Sequence, residues 1–204
     1  MKRTLIFICI LFNFLITYGQ KQHLEPTNFN VGGNLEIYYK NLNLLLFKDL
    51  AEKPFARFMA IPSFSKEYGF AIEKRKNKYF IISITASESY WRAKNRNEVK
   101  FINEENEIEQ ELYEQIGRLF QLLAKQTEKY DSVNYRSDGE TYYFITTNNN
   151  GEICTGETWS PSENSMIGEL IKSSIKIYSI GNGNSSLKAE IKNEIEELIT
   201  ELKK

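Results

Sequence analysis

Histidine is almost missing from this chain of 204 residues; the only one is His23. Nucleophilic triads need a histidine base held in a rigid frame, and most zinc sites need histidine as a ligand. A single histidine in a polar stretch near the start provides neither, so both chemistries are set aside and His23 reads as an exposed side chain. Cysteine is nearly as scarce. Cys9 sits in an N-terminal apolar run and Cys154 far downstream, which leaves no internal disulfide once that run is removed. Cys154 alternates within a strand-like stretch and reads as an inert buried thiol. An excess of either charge is missing as well, with 26 basic against 27 acidic side chains. No basic run is long enough to follow a phosphate backbone, which disfavours nucleic acid as a partner. Nor does Gly181-Asn182-Gly183 cradle phosphate, because the lysine and hydroxyl residue of such a loop do not follow it.

The chain also lacks an apolar run of the roughly 20 residues that cross a bilayer. What it has is Lys2 and Arg3, then about a dozen residues (5–16) interrupted only by Asn13, then Thr17, Tyr18, Gly19 and Gln20. Positive charge, a short oily core and small residues form the pattern of a secretory signal peptide, residues 1–19, cut between Gly19 and Gln20. Cys9 lies inside the oily core, so lipid attachment there is rejected. The expectation is an exported protein, periplasmic or extracellular, with no membrane anchor after cleavage. Loss of Lys2 and Arg3 takes the formal net charge from −1 to −3. The remaining length suits one domain. Twelve tyrosines, thirteen phenylalanines and two tryptophans argue for a packed core rather than disorder.

Residues 20–34 form a polar lead segment with Pro26 and Gly32-Gly33. Leu35, Tyr38, Leu42, Leu45, Leu46 and Leu50 recur at helical spacing, predicting a helix over 35–51. Pro54 and Pro62 bracket a short ordered segment. Residues 68–73 and 79–85 predict a hairpin, with further strands at 88–93 and 98–102. A long helix is predicted over 103–130, capped by Asn103, with Glu104, Glu105 and Glu107 in its first turn where the dipole favours acids. Residues 141–147 and 153–159 predict a second hairpin across Asn148-Asn149-Asn150-Gly151. Helices follow from Met166 to Tyr178 and after Ser185 or Ser186. The last carries an apolar seam of Leu187, Ile191, Ile195, Leu198 and Leu202, which either packs on the domain or pairs with a partner's helix. The fold class is α+β: a mostly antiparallel sheet of about five or six strands with helices on one face, one domain over 35–204.

Candidate chemistry is thin. The asparagine run superficially offers oxygens to calcium, but spaced acidic ligands are missing and turn chemistry explains it. Glu152 and Glu157, five apart, face opposite ways on a strand; Glu157 and Trp159, two apart, share a face. A carboxylate beside an indole is a common carbohydrate-contact pair, so Glu157 and Trp159 are the candidate ligand contacts. Trp91 reads as a core residue of an irregular strand, the alternative being a binding spot with Tyr90 and Arg92. No catalytic, metal-ligating or cofactor-binding residue is assigned, and no cofactor is expected. Two functions stand open. One is a non-catalytic interaction or accessory protein of the envelope or medium, with an unknown protein partner. The other is a carboxylate-based hydrolase or carbohydrate-binding module. A flat face with buried rings favours the first; a groove holding Glu157, a second acid and exposed rings favours the second.

Phe55-Ala56-Arg57-Phe58-Met59, Ile61-Pro62-Ser63-Phe64-Ser65, Tyr68-Gly69, Asp138-Gly139-Glu140-Thr141-Tyr142-Tyr143-Phe144 and Gly156-Glu157-Thr158-Trp159-Ser160-Pro161 give the chain a resemblance. It resembles a group of uncharacterised exported proteins of Bacteroidota, over most of the mature chain. No activity is assigned to that group. The resemblance implies a periplasmic or secreted location and carries over no site residue.

Overall fold

Apolar residues on both sides of the central strands decide the architecture. In β2 (Ala56–Pro62), Phe58 and Ala60 turn one way while Met59 and Ile61 turn the other. Such a strand needs cover on both faces. The computed structural model describes residues 23–27, 29, 32–129 and 138–204. It is an α+β fold built on one antiparallel sheet, as expected, with seven strands rather than five or six. The strands are β1 (Glu25–Pro26), β2, β3 (Tyr68–Arg75), β4 (Lys78–Ala86), β5 (Phe101–Ile108), β6 (Glu140–Thr147) and β7 (Ile153–Trp159). Their order across the sheet is β1-β7-β6-β2-β3-β4-β5.

Three helices lie on one face: α2 (Gln110–Lys125), α3 (Met166–Gly181) and α4 (Lys188–Glu201). Leu112, Ile116, Leu119, Phe120 and Leu123 of α2 meet Phe58, Phe70 and Phe144, each fully or almost fully buried. Burying one such side chain stabilises the fold by ~1.5–3 kcal/mol. The α4 seam turns inward onto the same core, with Ile191 and Ile195 fully buried. Of the two roles expected for that seam, the structure shows packing within the domain. The fourth helix, α1 (Gly33–Leu46), packs on the opposite face and so departs from the single helical layer expected. Its Tyr38, Leu42 and Leu46 cover Met59, Ala71, Ile82 and Tyr143.

Three expectations fail locally. Residues 103–108 are not the start of a helix but the body of β5, registered from Ile84 opposite Asn103 to Tyr79 opposite Ile108. Glu105 meets Arg75 at 2.6 Å and Glu107 meets Lys78 at 2.6 Å, so the acids answer the cations of the β3–β4 hairpin rather than a helix dipole. The helix begins at Gln110 without a side-chain cap. Residues 88–93 form turns rather than a strand. At the far end, Ser185–Leu187 is a turn of 3-10 helix and neither serine caps α4. Leu24 is buried and Thr27 N–H donates to Thr155 O at 3.0 Å, which fixes the two-residue β1 against β7. Residues 1–19, the expected signal peptide, lie outside the described residues. Among those described, no helix is long and apolar enough to cross a membrane.

Candidate functional site

Register on the α1 face brings the candidate residues together. Antiparallel partners share a face, so Ile61, Thr141 and Trp159 form one row across β2, β6 and β7. Met59, Tyr143, Glu157 and Glu25 form the next row, continued onto β1. Glu157 and Trp159 thus stand side by side. α1 contributes Leu35, Tyr38 and Tyr39 as one wall, while Phe64, Trp91 and Arg92 form a rim from two loops and Asp138 adds a second acid to the lining. Together they line a cleft of about 700 Å³. It is concave, it holds a second carboxylate, and its rings are partly open: Trp91 is 45% exposed and Phe64 63%.

Aromatic contacts run continuously along the wall. Trp91 meets Tyr38 edge-on with centroids 4.9 Å apart, Tyr38 meets Tyr39 at 5.3 Å, and Tyr39 meets Tyr143 at 5.9 Å. Such pairs lock ring orientation as well as burying area. Arg92 stacks over Phe64 at 5.0 Å. Trp159 is placed by its neighbours: a Cβ on Gly139 would sit 2.8 Å from the indole, so only glycine lets the ring lie there. Ser160, at φ 36°, closes the corner by donating its N–H to Glu140 O at 2.9 Å and accepting from Glu140 N at 2.9 Å.

Beneath the rim lies Glu67, fully buried. It accepts hydrogen bonds from Tyr38 Oη at 2.8 Å, Tyr90 N at 2.7 Å and Trp91 N at 3.0 Å. Burial first, and then the negative charge of Glu67, hold the Tyr38 phenol far above its ordinary range. Tyr38 is therefore a fixed hydrogen-bond donor to Glu67.

No protein-family model matches the chain, and neither a curated protein nor a solved structure matches it. Glu157 and Trp159 lie in one cleft, on the shared face that their spacing predicts. Trp91 is a rim residue rather than a core one, because its segment forms no strand and leaves the ring at the cleft mouth. His23 and Cys154 are half-buried rather than exposed and buried respectively. The asparagine run is a turn: Asn148 Oδ1 accepts from Asn150 N at 2.9 Å and Glu152 N at 3.0 Å, with Gly151 at φ 78°. Among the described residues, no group of three or more acids, cysteines or histidines is arranged to hold a metal ion. Sequence reasoning missed Glu67, Tyr38 and Tyr39 as site residues. Nothing in the spacing of Glu67 marks it, since a lone acid before a strand looks like any surface residue.

Proposed function

We propose that this chain is an exported carbohydrate-binding module whose cleft holds the apolar face of a sugar ring. The observation that carries the reading is the meeting of Trp91, Trp159, Glu157 and Asp138 on one concave surface. A pyranose presents C–H groups on its faces and hydroxyls round its rim. An indole covers the first, and a carboxylate accepts from the second through the stronger, charge-assisted kind of hydrogen bond. The cleft's volume falls within the roughly 300–1,000 Å³ of small-ligand sites, and its mixture of many rings and few polar groups is typical of them. Export is supported by the charge and apolar pattern of residues 1–19 and by the resemblance to exported Bacteroidota proteins.

Titration with soluble gluco-, xylo-, manno- and chito-oligosaccharides, followed by calorimetry, tests binding. Dissociation constants between ~1 mM and ~1 μM, roughly −4 to −8 kcal/mol, are expected, and Trp159→Ala should abolish them. Failure of every saccharide to bind sinks the reading. The address is tested by the intact mass of the protein purified from its native cells: a chain starting at Gln20 agrees, one starting at Met1 does not.

Asp138 and Glu157 sharing the cleft favours a second reading, a glycoside hydrolase with one acid as proton donor and the other as base or nucleophile. Release of reducing ends from a bound oligosaccharide, lost in both Asp138→Asn and Glu157→Gln, would establish it over simple binding.

A further inference from the structure

Residues 87–95 carry no helix or strand, yet the tryptophan they present is held from two sides. Below it, the two oxygens of Glu67 take the consecutive N–H groups of Tyr90 and Trp91, at 2.7 and 3.0 Å. Above it, Arg96 donates from Nε to Tyr90 O at 3.1 Å and from a terminal nitrogen to Trp91 O at 3.3 Å. The same guanidinium lies 5.4 Å from the Trp91 ring, 5.5 Å from Tyr90 and 5.7 Å from Tyr38. Both donors and both acceptors of this dipeptide are thus occupied by side chains.

We infer that Glu67 and Arg96 form a clamp that fixes Trp91 as a ready-made wall of the cleft, acting as positioning residues for ligand binding. A carboxylate withdrawn wholly from water is costly unless every bond it makes is good. Here that carboxylate is aimed at the backbone of a residue whose own side chain stays 45% exposed, so the bonds do not serve to bury Trp91. They remove its freedom before a ligand arrives. A ring ordered in advance spares the ligand the entropy of ordering it, which is how a short loop can serve as a binding platform. The inference rests on the cleft being a ligand site, and the two are separable by experiment.

The optical arm needs no ligand. In a Trp159→Phe background Trp91 is the only tryptophan of the chain. Adding Glu67→Gln puts an amide N–H₂ against backbone donors, and the acrylamide quenching constant of Trp91 should rise about twofold with lower anisotropy while the far-ultraviolet spectrum stays unchanged. Unchanged quenching and anisotropy in the folded variant overturns the clamp. If Glu67→Gln does not fold, Arg96→Met, at an exposed position, is read by the same two outcomes. The binding arm uses the protein with both tryptophans and the tightest oligosaccharide of the panel. Glu67→Gln or Arg96→Met should weaken it about 3- to 10-fold, while Lys192→Met, on the helical face away from the cleft, should stay within about twofold. Equal affinity despite a loosened Trp91 overturns the positioning role. If the unmodified protein binds no saccharide, the carbohydrate reading fails and the quenching result still decides the clamp.

Discussion

On one face of the sheet two helices pack on the strands with a third laid against both; on the other, α1 and an irregular segment share the cover. α2 packs on β6, β2 and β7 and α3 on β4, β3 and β5, so the two helices cover the first face and α4 closes over both of them. One helix covers part of the second face, and the cleft occupies part of what is left. The same strands supply both faces; what differs is how much helix was laid on each. The larger buried core lies on the closed face and the cleft on the open one.

Truncation should expose that contrast most strongly. Phe120→Ala, which removes a ring from among Phe70 and Phe144, is expected to cost ~3–5 kcal/mol in urea denaturation. Trp91→Ala on the open face should cost no more than ~0.5–1 kcal/mol. Comparable losses at the two positions would break the comparison.

Close packing of the closed face is tested next by Gly117→Ala. Its new Cβ would stand 2.0 Å from the Phe55 ring, so a residue that ordinarily favours helix should here destabilise by ~1–3 kcal/mol. A gain in stability would show that the α2 contact is loose.

Alkaline titration sharpens the comparison from both sides. Burial raises the phenols of Tyr68 and Tyr142 on the closed face, with Glu140 adding to each, and that of Tyr38 on the open one. A phenol whose folded value lies above its unfolded value of 10 stabilises the fold fully below pH 10. That contribution is lost as pH rises from 10 through the folded values. Absorbance at 295 nm should therefore show these tyrosines ionising only as the protein unfolds. An ordinary step near pH 10 that vanishes in Tyr38→Phe would mean that the α1 wall of the cleft is wet.

The surface ion pairs between helices should matter least. Lys192 lies 2.8 Å from Glu111 and also pairs with Glu109, and Lys176 lies 2.7 Å from Glu190. Each lysine holds its exposed partner, Glu109 or Glu190, below the ordinary carboxylate value of 4.5. Their contribution is thus present above pH 4.5 and disappears as pH falls through the lowered values. Lys192→Met should change thermal stability only slightly, and the change should vanish in roughly 1 M salt.

Much of this contrast was legible in the residues, and the reasons it was not fully so are local. The β6–β7 hairpin announced itself through alternation and through asparagine and glycine at its turn, and α4 through its seam. β5 was hidden because its interior holds Asn103, Glu104, Glu105 and Glu107, a helix-start composition that becomes a strand only when the cations of the neighbouring hairpin face it. β1 is two residues long, too short for any period to show. In the cleft, Glu157 and Trp159 were readable because a two-residue spacing fixes a shared face. Glu67 was not, and Trp91 appeared only as the lesser alternative to a core residue, because long-range hydrogen bonds between irregular segments leave no spacing to read.

The most direct test is a nuclear magnetic resonance titration with soluble oligosaccharides, watching the indole N–H signals of Trp91 and Trp159 against amides of α2 and α4. Saccharide-dependent shifts of both indoles, with the three-helix face unmoved, are the predicted result. Silent indoles with every saccharide, or shifts confined to the helical face, would contradict it.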